Sequence, residues 1–152
     1  MKFSDHDMAE LNKMFAPALE WLDVDVYKKN PKIGFNMYMC HNKVCAQDFR
    51  GVECEQTVCV LGYLGKHYNL DHHNDGYHIV EILIEKFNFE NEDMVRNLLE
   101  RIYIVEDGNG NTVFDRYTSI QPYQMAAAIR YFLKTRKLKW KKFFNKDQIC
   151  VG

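Results

Sequence analysis

The chain of 152 residues reads as mainly α within the α+β class, with about five helices and one small β-hairpin near residues 102–117. Three observations predict this. Apolar residues recur at steps of three and four along most of the chain, the period of one helical face. That period gives way to β-prone residues at 102–106 and 112–117, which flank Asp107-Gly108-Asn109-Gly110-Asn111, a strong hairpin-turn signal. Hydrophobic residues make up 47% of the chain with no low-complexity tract, enough for one core without a stabilising metal or disulfide.

In order along the chain, Met8, Leu11, Phe15, Leu19 and Leu22 mark the first helix. Ser4 or Asp5 can cap it, and Asp7 and Glu10 suit its positive N-terminal end. Pro17 should kink or divide it, because proline lacks a donor and crowds the preceding turn. Residues 28–36 read as a loop entering an extended segment. A second helix is expected over about 55–67, with Val58, Leu61 and Leu64 on one face and Gly62 and Gly65 marking close packing or an early stop. Residues 71–76 are polar and turn-like. The third helix, about 77–88, is apolar on most sides (Ile79, Val80, Ile82, Leu83, Phe87) and is expected at the centre. Asn91 can cap a fourth through Met94, Val95, Leu98 and Leu99. After the hairpin, a last long helix begins at Ser119 or Ile120, with Pro122 harmless in its first turn. It runs through Met125, Ala128, Ile129, Phe132 and Leu133, and residues 138–144 end the core pattern.

The formal net charge of −1 hides an asymmetry. Residues 1–129 hold 12 basic and 20 acidic side chains, whereas residues 130–152 hold eight basic ones and one acid. The expectation is one globular domain, 1–152, with an acidic body and a basic C-terminal tail over about 134–152. Such asymmetry signals a macromolecular partner. Apolar runs such as 82–84 fall far short of the roughly 20 residues that span a bilayer. No basic start leads into an apolar stretch, so no secretory signal is expected. The implied location is cytoplasmic, without a membrane partner, and five cysteines, an odd count, are then reduced thiols.

Four clusters bear on chemistry. Cys40, Cys45, Cys54 and Cys59, with His41 and His67 nearby, could supply a structural zinc, since clustered thiolates and imidazole suit a tetrahedral ion. Their intervals of four and eight residues differ from the usual knuckle spacing, and buried thiols explain Cys54 and Cys59 more simply. Cys59 is expected mid-helix, and Cys54 near a helix start, where its pKa would fall. A second cluster of His67, His72, His73 and His78, among Asp71 and Asp75, suits divalent metals, and His78 and Glu81 would share a helix face. No His-Glu-x-x-His spacing occurs, and a polar loop accounts for the same residues. Residues 107–111 begin like a calcium loop, then place Thr112 and Thr118 where glycine and a bidentate glutamate belong, so the turn reading prevails. The basic segment interleaves cations with aromatics (Arg130-Tyr131, Lys139-Trp140, Lys142-Phe143), which suits phosphate contact and base stacking. Its lysines could equally form a solvated helix face or pair with the acidic body.

The run Cys54-Glu-Gln-Thr-Val-Cys59-Val-Leu-Gly62 resembles the Cys-Gly-Thr-x-x-Cys-x-x-Gly segment of a broad set of small uncharacterised proteins from phages and bacteria. Those proteins also close with an Ala-rich helix ending in tryptophan, matched by 120–133 and Trp140. Glu55-Gln56 departs from the Gly-Thr of that pattern. The resemblance implies a small α-rich phage accessory protein and supplies no activity.

No complete catalytic constellation, nucleophile elbow or phosphate-binding glycine loop appears. The leading expectation is therefore a non-catalytic protein that binds and modulates, by inhibition, a host or phage macromolecule such as a defence system. Tyr131, Arg136, Trp140, Lys142 and Phe143 are its candidate contact residues, since exposed aromatics and arginine are the expected interface hot spots. The alternatives are nucleic-acid binding through the basic aromatic segment, and a thiol- or metal-dependent hydrolase pairing Cys54 with a histidine of the 67–78 loop.

Overall fold

The computed structural model describes residues 2–37, 43–68, 76–104, 120–139 and 142–145, without the side chains of 43–46, 76, 77, 103 and 104. The described residues form helices α1 (Asp5–Asp23), α2 (Val60–His67), α3 (Gly76–Lys86), α4 (Glu92–Ile104) and α5 (Pro122–Thr135), with a 3-10 turn at Asp25–Tyr27. Strands β1 (Ile33–Phe35), β2 (Lys43–Gln47) and β3 (Glu53–Val58) make one small sheet of order β1-β3-β2. The chain is mainly α with a small β element, as its periodicity predicts, but the described strands lie at 33–58. Residues 102–104, expected in the hairpin, complete the last turn of α4, and 105–119 fall outside the described residues.

Local chemistry sets the helix boundaries. Ser4 Oγ accepts from the Asp7 amide, 3.1 Å, and Asn91 Oδ1 accepts from Met94, 3.2 Å. Pro122 opens α5 behind a capping box in which Gln121 and Gln124 each bond the other's backbone. Pro17 neither divides nor ends α1. The carbonyl that a residue-17 amide would have bonded, that of Lys13, lies 3.4 Å from the Tyr68 hydroxyl, which also donates to Met14 O at 3.1 Å. The C-cap residue of α2 thus shares its one hydroxyl hydrogen between the Met14 carbonyl and, at longer range, the Lys13 carbonyl that proline leaves without its helical donor.

The strands need close approach and a tight turn. β1 runs parallel to β3, pairing Gly34 with Thr57, and β2 runs antiparallel to it. The β2–β3 turn is built on Asp48, whose Oδ1 accepts from the Arg50 and Val52 amides at 2.8 and 3.0 Å. Gly51 sits at φ 83°, which favours glycine. Arg50 grips Asp48 Oδ2 from Nε and Nη2 and reaches the carbonyls of Tyr27 and Lys28. The whole turn is thereby tied to the segment following α1.

α1 occupies the centre. It buries Met8, Leu11, Met14, Phe15, Ala18, Trp21 and Leu22, a wider stripe than the five residues expected. Trp21 joins three elements: its indole donates to Ile33 O at 2.9 Å, its ring meets Phe35 edge-on, and it stacks on Tyr63 at 4.3 Å. Among its described side chains α3, expected centrally, buries the face of Ile79, Val80, Leu83 and Ile84, while Glu81, Glu85 and Lys86 are exposed. Gly65 of α2 lies against Ile79. Asp7 is fully buried, and its two carboxylate oxygens accept from the Glu90 and Asn91 amides at 2.7 and 3.0 Å. That clamp fixes the entry to α4, which the cleft described below requires. No helix among the described residues is long and apolar enough to cross a membrane.

Candidate functional site

α5 carries one of the expected contact residues, Tyr131, and ends at a second, Arg136, its C-cap. Ala126, Ala128, Ile129 and Phe132 bury one side, so Arg130, Lys134 and Tyr123 stand on the other. Past the helix, residues 142–145 fold back over it: the Gln124 side chain donates to Phe143 O at 3.2 Å, and Phe144 is buried in the core. The expected tail is thus partly core. The fold-back brings Tyr131, Lys142 and Phe143 together. The two rings lie 5.5 Å apart, and the Lys142 ammonium stands 4.3 Å from the Tyr131 centroid and 6.0 Å from that of Phe143. Lys142 is exposed and both rings are half-buried. Trp140 lies outside the described residues.

Arg136 is placed differently. It caps α5 in the left-handed conformation, φ 65°, where glycine is usual, and its amide bonds Phe132 O at 2.7 Å. Its guanidinium donates to Phe3 O at 2.6 Å and pairs with Asp5. Arg130 pairs likewise with Asp23 at the other end of α1, and its guanidinium pKa is raised by that hydrogen bond. Two cations of the basic segment are therefore engaged by α1 carboxylates, the body-pairing alternative in molecular form.

Beside Arg136 a cleft of about 560 Å³ opens between α4, the end of α5 and Phe3. Met94, Leu98 and Arg101 reach it from one face of α4 at helical spacing, and Phe132, Arg136, Lys137 and Leu138 from the other side. The Phe3 and Phe132 rings meet edge to face at 5.3 Å. Such volume suits a small ligand. The sequence reading missed it because no single segment carries it; Phe3, Arg101 and Lys137 are 36 to 134 residues apart.

The cysteine and histidine candidates do not assemble among the described residues. Cys54 lies in β3 rather than near a helix start, nearly buried, and its thiol pKa is raised by burial first and by the Asp48 charge second. Cys59 is not mid-helix: it is the N-cap of α2, its sulfur accepting from the Gly62 amide at 3.4 Å. The Cys-x-x-Gly half of the resemblance segment is thus a helix cap made with a thiol. His67 is exposed, its ring edge-on to Tyr68 at 4.8 Å. Cys40, His41, His72, His73 and the side chain of Cys45 lie outside the described residues, and no described group of three His, Cys, Asp or Glu side chains could hold a metal. Glu81, expected beside His78, is held by Arg96 of α4 at 2.6 Å, which lowers its carboxyl pKa.

A surface that patterning did not flag lies at the start of α5. Val24, Tyr27 and Tyr123 are the most exposed large apolar side chains among the described residues, 43–61% exposed. The Tyr123 backbone lies within hydrogen-bonding reach of the Tyr27 hydroxyl. The chain matches no protein-family model, and no curated protein or solved structure resembles it at a significant level.

Proposed function

We propose that the chain is a small accessory protein, of the phage type its cysteine segment resembles, which binds a host macromolecule in the cytoplasm and inhibits it without catalysis. A host defence system is the specific target class. The observation that carries the reading is the Tyr131–Lys142–Phe143 cluster, two half-buried rings and an exposed cation held on a capped, well-packed helix. Rigid aromatic and cationic anchors of this kind supply most of the energy in protein interfaces. A Cys54 nucleophile is disfavoured by its burial and raised thiol pKa, because the thiolate is the attacking form.

The test is affinity capture from bacterial lysate with the tagged protein, with and without nuclease. One stoichiometric protein surviving nuclease is the expected outcome. The Y131A/K142A double variant should reduce its recovery about tenfold, the size of one lost hot-spot contact, with an unchanged melting temperature. Phe143 is a poorer probe, since its backbone is tied to Gln124 and its ring packs against the core. The second reading, nucleic-acid binding, draws on Lys134, Lys137, Lys139 and Lys142, all exposed. It expects recovery that vanishes with nuclease, and affinity that falls steeply with salt.

A further inference from the structure

The geometry points to the α4–α5 cleft as a binding site for a small organic anion, a phosphate or carboxylate joined to a flat apolar body. Three cations line it, Arg101, Arg136 and Lys137, against one carboxylate, Asp93; Arg136 is itself paired with Asp5, so Lys137, exposed at the rim, is the cation best placed to meet a ligand. Asp93 is already bonded to Arg96 at 2.6 Å, outside the cleft lining. Arg136 and Lys137 come from the basic segment, and Arg101 is added by α4, within the acidic body of residues 1–129. Concave walls of low dielectric focus such a local field and raise the concentration of anions there.

The floor supplies the second half of the recognition. Leu98 and Phe132 are buried at its base, and Phe3 stands edge-on to Phe132, so a planar body would find an aromatic and aliphatic seat. The seat is preorganised from both sides. Asp7 fixes the start of α4, and Arg136, bonded to Phe3 O and paired with Asp5, pins Phe3 to the end of α5. Arg136 holds the left-handed conformation, φ 65°, and non-glycine residues strained in this way concentrate at ligand clamps. Guanidinium and ammonium groups serve phosphate and carboxylate alike, so the head group is named by that shared chemistry.

The site is tested on the purified full chain, independently of any lysate partner. Three probes share one ring system: 1-naphthyl phosphate, 1-naphthoate and neutral 1-naphthol, each titrated by calorimetry at low salt. Saturable one-to-one binding of the phosphate, the carboxylate or both, with 1-naphthol about tenfold weaker or worse, is expected for loss of a charge-assisted contact. Whichever of the two anions binds more tightly identifies the head group. Two surface variants localise the effect. Lys137→Glu should weaken the anions about tenfold while leaving 1-naphthol unchanged. Asn97→Trp, which places an indole at the cleft wall, should weaken all three. Equal affinity for the neutral and charged probes, or anion binding unmoved in both folded variants, would overturn the assignment.

Discussion

Gly34 marks a narrow approach in the sheet. A Cβ at this position would stand 2.7 Å from Cys54 Sγ and 3.1 Å from Asp48 Cβ and Thr57 Cγ2. Its parallel partner is Thr57, so the strand has little freedom to back away. Gly34→Ala should therefore cost about 1–3 kcal/mol in urea unfolding, the usual range for overpacking. The sulfur is the nearest obstacle, so the same substitution made in Cys54→Ala should cost markedly less. An identical loss in both backgrounds would place the obstruction at Asp48 and Thr57 instead. Cys54 itself is a packing group with a raised thiol pKa. At neutral pH a thiol reagent should label Cys54 and Cys59 far more slowly in the native protein than in urea, with both rates limited by opening. Prompt native labelling of Cys54 would restore it as a nucleophile.

At the scale of elements, Pro17 and Tyr68 form a compensated pair. Proline removes the donor that would bond Lys13 O, and the Tyr68 hydroxyl, shared with Met14 O, partly stands in from the C-cap of α2. Tyr68→Phe should cost about 0.5–1.5 kcal/mol, the net value of one such hydrogen bond. In Pro17→Ala, where residue 17 can donate again, the cost should shrink. A cost independent of residue 17 would detach the hydroxyl from the proline. No reading of α1 alone could anticipate this, because the donor lies 51 residues away. The contrast with Ser4, Asn91 and Pro122 is instructive: those caps were legible because cap and capped amide are three residues or fewer apart. The helix expected from about residue 55 begins only at Val60, after β3, for a related reason. Thr57, Val58, Cys59 and Val60 are all buried, so the strand's end and the helix's start merge into one apolar run with no change of period. Asp7 reads as an ordinary first-turn acid, and only the tertiary fold turns it into the clamp on α4.

Across the whole molecule, charge is arranged rather than merely balanced. Sequence reveals the acidic body and the basic segment, but not which charges meet. Asp5 and Asp23, at opposite ends of α1, take Arg136 and Arg130 of the α5 region. These pairs are largely exposed, so each adds little to stability. Their larger consequence is electrostatic: they engage two arginines that would otherwise add to the contacts of the basic segment with a nucleic-acid backbone. Substituting both acids, D5N/D23N, should leave the melting temperature nearly unchanged. Each phosphate neutralised contributes about 0.9 to the log–log salt slope on duplex DNA. Releasing both arginines should therefore steepen non-specific DNA binding by up to about 1.8 in that slope, measured by fluorescence anisotropy from 50 to 200 mM salt. An unchanged slope in the folded variant would mean that the arginines remain sequestered by the fold itself, through Phe3 O and the α5 cap. A native protein already binding with a steep slope would instead mean that the exposed lysines suffice, and the nucleic-acid reading would gain over the protein partner.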